Sequence, residues 1–170
     1  MVRSSIQGSL DPKVSFGFHF GVNWNNFDVI AFFQGSAGVS RMISEGLGGL
    51  SASTSKPNTL WLDSWTPTNT GAQYPRLATE ASNINTEYSD IWVSNASYLR
   101  MKDFQVGYTI PKSVLSKVGI SRLRLYYSGQ NLFTITGMLN GWDPEAPAAS
   151  GRGNAFPQTI VNSLGVNITF

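Results

Sequence analysis

The 170-residue sequence contains no cysteine and a single histidine, His19. Without cysteine there is neither a disulfide framework nor a thiolate metal site. One imidazole does not build a histidine-rich metal centre, and a Ser-His-Asp triad around it is not expected. Charge is also scarce: 13% of residues are charged, about half the usual share for a soluble domain. The net charge is +2 with no Lys/Arg cluster, and Arg122 with Arg124 is the densest basic spot, which argues against nucleic acid. No window approaches the roughly 18 apolar residues of a transmembrane helix. The opening MVRSSIQGSL lacks the apolar stretch and cleavage site of a signal peptide. Read alone, these absences describe a soluble cytoplasmic protein without catalytic residues, metal or cofactor.

What is present reverses that reading. Aromatic residues make up 12% of the chain, and polarity is carried by Ser, Thr, Asn and Gly. In VSFGFHFGVNW, Val14, Phe16, Phe18, Phe20, Val22 and Trp24 take every even position, while Ser15, Gly17, His19, Gly21 and Asn23 take every odd one. Strict alternation over about eleven residues is the length of one tilted membrane-spanning strand. The pair Asn25-Asn26 signals a tight turn. A second strand follows, with Phe27, Val29, Ala31 and Phe33 on one face and Asp28 and Gln34 on the other; Ile30 and Phe32 blur it.

The pattern dissolves between Gly38 and Val93, where RMISEGL and LWLDSW are candidates for short helical turns and Pro67, Gly71 and Pro75 act as breakers. It returns at ASYLRMKDFQVGYTIP. There Phe104, Val106, Tyr108 and Ile110 share one parity, and Leu99 and Met101 have the other. A β-bulge near Lys102-Asp103 reconciles the halves. PKSVLSKVG predicts one helical turn with Pro111 in first position and Gly119 at its end. The predicted strands lie near 14–24, 27–36, 97–110, 120–132 and 159–170, with long loops near 38–95 and 134–157.

Short and long connections therefore alternate, as in transmembrane β-barrels with short periplasmic turns and long extracellular loops. Aromatics gather near strand ends, where interfacial girdles sit: Trp24 and Phe27 at one turn, Tyr98 and Phe133 toward the long loops. Alternation alone leaves a soluble β-sandwich open, although a sandwich has shorter strands and a more charged solvent face.

Three stretches resemble the C-terminal part of SusC/RagA-type TonB-linked (TonB-dependent) outer-membrane transporters. They are NASYLRMKDFQVGYTIPKSVLSKVGISRLRLYYSGQNLFTITGMLNGWDPEAP, LWLDSWTPTNTGAQYPRL and the ending FPQTIVNSLGVNITF. The resemblance covers nearly the whole chain. It implies an all-β, antiparallel transmembrane β-barrel segment: the last five strands of a roughly 22-stranded barrel, with two long extracellular loops. The family's plug, energy-coupling box and export signal have no counterpart here, so the chain reads as a C-terminal fragment. A five-stranded open sheet with two free edges is not expected to fold stably in water.

By resemblance, the intact protein imports oligosaccharides or peptides across the bacterial outer membrane. Its implied partners are the rest of the barrel and the plug, a SusD-like lipoprotein lid, the TonB complex reached through the plug, the barrel assembly machinery and outer-membrane lipid. The alternatives from other classes are a soluble glycan-binding β-sandwich and a non-functional transporter gene fragment.

Several residues are singled out. Trp61, Trp65, Tyr74, Trp92 and Trp142, with Asp143 and Glu145, lie in or beside the long loops as ligand or lid contacts; the competing reading makes the aromatics anchors that fold those loops, and Asp143 a turn starter. His19, Asp28, Gln34, Arg124 and Gln130 face the presumed lumen. Ser163, Gly165, Ile168 and Phe170 resemble the terminal signal read by the barrel assembly machinery. No catalytic residue is assigned.

Overall fold

Eight strands in two separate sheets carry the chain in a computed structural model that describes residues 9–42, 59–76, 90–116, 119–146 and 156–170. The chain divides into two units. The first is a single antiparallel sheet in the order β1-β2-β5-β6-β8, with short β7 beside β5. Its strands are β1 (Val14–Trp24), β2 (Phe27–Ala37), β5 (Tyr98–Thr109), β6 (Arg122–Gln130), β7 (Thr134–Thr136) and β8 (Val161–Thr169).

The long strands follow one another as neighbours, so each connection returns the chain beside the strand it left. β1 and β2 are joined by two residues, and Asn25 takes the left-handed conformation (φ 53°), one that asparagine tolerates better than most residues. The β5–β6 connection holds one helical turn, α1 (Lys112–Leu115); Pro111 is its N-cap rather than its first helical residue. Gly119 lies in the connection at φ 72°.

Register decides which residues share a face, because side chains alternate along each strand. Val22 pairs with Val29, Val29 with Val106, Val106 with Tyr127 and Tyr127 with Leu164. Extending that row, one face carries Phe16, Phe18, Phe20, Trp24, Phe27, Phe33, Leu99, Met101, Phe104, Tyr108, Leu123, Leu125, Val166 and Ile168. Among the described residues Asn162 is the lone amide on it, and its Oδ1 accepts a hydrogen bond from the Tyr127 hydroxyl at 2.6 Å. The face is bound by cross-strand aromatic pairs: Phe18 stacks on Phe33 at 4.8 Å, and Phe27 meets Tyr108 at 4.7 Å. It is also uncovered, with Phe20 54%, Trp24 69% and Leu164 87% exposed.

One irregularity keeps this face continuous. Phe33 pairs with Met101 and Phe32 with Asp103, which leaves Lys102 as the extra residue of a bulge in β5. The bulge puts Leu99 and Met101 on the same side as Phe104, Val106 and Tyr108, despite their opposite parity in sequence. Tyr98 pairs with Ser36 and therefore lies on the opposite, polar face. The expected girdle at the long-loop end thus loses Tyr98, while Phe133 stays beside Phe33 at 6.2 Å.

The second unit comprises residues 1–12, 38–96 and 137–157. Strands β3 (Ser40–Met42) and β4 (Val93–Asn95) pair antiparallel, and 3-10 turns span Thr59–Asp63 and Asp90–Trp92. Arg41 and Met42, expected in a helical turn, are in β3 instead, because their partners Ser94 and Val93 offer a ladder. The rest of RMISEGL lies outside the described residues. Buried Tyr74 and Trp92 form this unit's core, with Met42, Trp61, Met138, Leu139 and Trp142 packed against it.

Candidate functional site

The polar face of the sheet and the aromatic loop unit each gather residues singled out in the sequence. On the sheet, Asn23 pairs with Asp28, His19 with Phe32 and Gly17 with Gln34; across β5 and β6, Asp103 pairs with Gln130 and Thr109 with Arg124. His19, Asp28, Gln34, Arg124 and Gln130 therefore share one face, opposite the apolar one. Ile30 and Phe32 share it too. The phenyl ring of Phe32 stacks against His19 at 4.3 Å and 16°, so one of the two residues that blur β2 in the sequence serves as a platform within a polar surface.

A belt of side chains crosses this face. Arg124 on β6 reaches over β5 to Asp28 on β2: Nε donates to Oδ1 at 2.9 Å, and Nη2 pairs with Oδ2. This is the bidentate guanidinium–carboxylate geometry. Its path lies over Gly107, where a Cβ would overlap the guanidinium. The same guanidinium sits 5.0 Å from the Tyr126 ring centre. Tyr126 in turn lies across Gly165 of β8, where a Cβ would overlap the ring. Glycine at these two positions makes room for a neighbouring strand's side chain. Four strands are tied together by Asp28, Arg124, Tyr126 and the two glycines beneath them.

Arg100 also belongs to this face. It is 3% exposed, donates from Nε to Thr134 Oγ1 at 2.7 Å and lies 5.8 Å from the Tyr98 ring centre. Arg100 and Tyr126 were not singled out in the sequence. Both carried a signal: Tyr126 has polar-face parity beside Arg124, and the bulge expected near Lys102-Asp103 puts Arg100, between Leu99 and Met101, on the same face.

The terminal residues divide between the faces. Ser163 pairs with Ser128 and Gly165 with Tyr126 on the polar side; Ile168 pairs with Leu123 on the apolar side. Phe170, just beyond β8, is 86% exposed.

In the loop unit, Tyr74 stacks on Trp92 at 6.1 Å and 21°, and Trp61 meets Trp92 edge-on at 6.0 Å. Trp92 is 1% exposed and Tyr74 5%. Trp142 packs against the same cluster. Four of the five singled-out loop aromatics thus hold the unit together. The fifth, Trp65, is 40% exposed, and its backbone N–H donates to Tyr74 O at 2.9 Å.

Asp63 organises the segment between them. Its Oδ1 accepts from Asn69 Nδ2 and its Oδ2 from Gln73 N, both at 3.2 Å, and its carbonyl accepts from Tyr74 N. Burial, and secondarily the charge of Asp63, raises the Tyr74 phenol above its ordinary 10.0. Asp143 Oδ1 accepts from Glu145 N at 2.9 Å, the local turn that an Asp-Pro pair starts.

Apolar on one face, polar on the other, with long strands and alternating short and long connections, the sheet has the construction of an outer-membrane β-barrel wall. The chain is 37% identical to TonB-dependent receptor P3 of Formosa agariphila over 97% of its own length and 17% of the relative's. TonB-dependent receptor P26 of the same organism is 25% identical over 97% of this chain and 18% of that relative. Among solved structures, the RagAB peptide importer in its open-open state superposes with a TM-score of 0.72 at 24% identity, covering 97% of this chain and 18% of that one. No family model matches. The chain belongs to the TonB-dependent receptors, and with them to the outer membrane. It spans about a sixth of the length of the curated relatives it matches.

Proposed function

We propose that the chain forms the last five strands of a roughly 22-stranded, plugged barrel in an active importer of oligosaccharides or peptides. The complete protein is energised through TonB and works with a SusD-like surface lipoprotein over its long loops. The observation that carries this reading is the division of the sheet into an uncovered apolar face, suited to lipid, and a polar face suited to a wet lumen. His19, Asp28, Gln34, Arg124 and Gln130 then line the lumen. Trp65, at the surface of the loop unit, together with Asp143 and Glu145, is offered to ligand or lid, and Trp61, Tyr74, Trp92 and Trp142 stiffen the loops that present them. Ser163, Gly165, Ile168 and Phe170 serve as the signal for barrel assembly.

A peptide substrate has support from the solved relative, which is described as a peptide importer. A soluble sandwich needs a second sheet over the apolar face, and among the described residues the long strands form one sheet only. The reading is tested in cells carrying the complete protein, by following uptake of fluorescent oligopeptides and oligosaccharides with and without functional TonB. TonB-dependent accumulation of one class is expected. Accumulation of neither, or equal accumulation without TonB, contradicts it.

A further inference from the structure

A cleft of about 380 Å³ opens at the short-turn end of the sheet. Its walls come from the β1–β2 turn and the β5–β6 connection. They include Asn23, Asn25, Asn26, Lys112, Ser121 and Arg122. Asp28 also lines it, but both of its carboxylate oxygens are taken by Arg124. Among the described residues, two cationic residues and three asparagines thus border the space, and the carboxylate of Asp28 is already paired. Lys112 is exposed, and so is Arg122 at the first residue of β6.

We propose that this cleft binds an acidic stretch of polypeptide. Excess positive charge selects a carboxylate, and the arginine offers it a planar fork of donors. The carboxamides of Asn23, Asn25 and Asn26 each carry a donor and an acceptor, which suits the alternating N–H and C=O of a peptide backbone. A phosphate, which is acceptor-rich, has little use for the carboxamide oxygens. Register points the same way: Asn23, Asp28 and Arg122 belong to the polar face, so the occupant approaches from that side and not from the apolar side, where a lipid's acyl chains would lie. The proposal rests on this geometry and stands apart from the transport reading.

The test uses the full-length protein folded in detergent and fluorescent hexapeptides of glutamate and of glutamine. The glutamate peptide is expected to bind, more weakly as salt rises, and the glutamine peptide not to bind. The double variant Lys112→Gln/Arg122→Gln should weaken glutamate-peptide binding by at least about tenfold, with heat-modifiable gel migration unchanged as the check on folding. Charge reversal, Lys112→Glu/Arg122→Glu, should transfer the preference to a hexalysine peptide. Equal binding of both neutral and acidic peptides, or binding untouched by the double variant, overturns the proposal. So does full competition by inorganic phosphate or by anionic lipid vesicles at concentrations equal to the peptide's, which would mark a simple anion or headgroup site.

Discussion

Gly107 and Gly165 show how much a missing side chain contributes. Each lies beneath a neighbour that crosses it, the Arg124 guanidinium and the Tyr126 ring. Gly107→Val should push Arg124 away from Asp28 and cost about 1–3 kcal/mol, the usual range for overpacking. Asp28→Asn should cost about 1.5–3 kcal/mol by removing the charged partner of the same contact. The two changes break one interaction, so the double variant should lose clearly less than the sum. The temperature of the gel-mobility shift of the folded barrel measures all three; full additivity would mean that Gly107 does not serve the ion pair.

At the same scale, Tyr74 makes the loop unit sensitive to alkali. A phenol raised above its ordinary value is favoured neutral in the folded state. Its contribution is present below the ordinary 10.0 and is lost as pH rises through the higher folded value. Tryptophan fluorescence from the unit should change in that window, and Tyr74→Phe should remove the change.

Among the elements, β5 was the hardest to read. Its two halves obey different parities, and only a bulge lets both face the same way. The number of residues matters there more than their identity. Deleting Lys102 should leave a regular strand with Leu99 and Met101 still on the apolar side and the yield of folded barrel unchanged. Deleting Arg100 should instead throw Leu99 or Met101 onto the polar face and cut that yield on the order of tenfold, because a one-residue slip turns side chains over. Lys102→Ala should fold normally. Equal yields from the two deletions would contradict a bulge at Lys102.

β1 needed no such help, since its alternation is complete and it lies between a two-residue turn and a polar segment. The loop unit was less legible. Its aromatic residues were visible, but whether they face a ligand or each other depends on contacts between segments distant in sequence, such as Tyr74 with Trp92 and Trp142. Asp63 went unnoticed because its partners, Asn69, Gln73 and Tyr74, follow no period. Trp92→Ala should cost this unit about 3–5 kcal/mol. Limited proteolysis should then cut the loops while the sheet keeps its gel mobility; unchanged proteolysis would mean that the aromatic cluster is not their core.

At the scale of the whole molecule, the apolar face of the sheet is built to meet lipid and the polar face to meet water. Composition hid this, because a membrane signal of period two has no long apolar run. Register exposes it, as the long strands turn most of their apolar residues to the same side, with Ile30, Phe32 and Val161 as exceptions. An open sheet of this kind has unsatisfied edges and a bare apolar face, so residues 1–170 alone in detergent-free buffer should give no cooperative monomeric melt.

The sequence contains no cysteine, so single cysteines introduced along Val14–Trp24 report one position at a time. The most direct measurement attaches a spin label at each of these positions in the protein reconstituted in lipid. Collision with oxygen, which concentrates in lipid, is compared with collision with a water-soluble nickel complex. Oxygen contact should peak at positions 14, 16, 18, 20 and 22, and nickel contact at 15, 17, 19, 21 and 23. Uniform accessibility along the strand, or the opposite phase, would contradict the account.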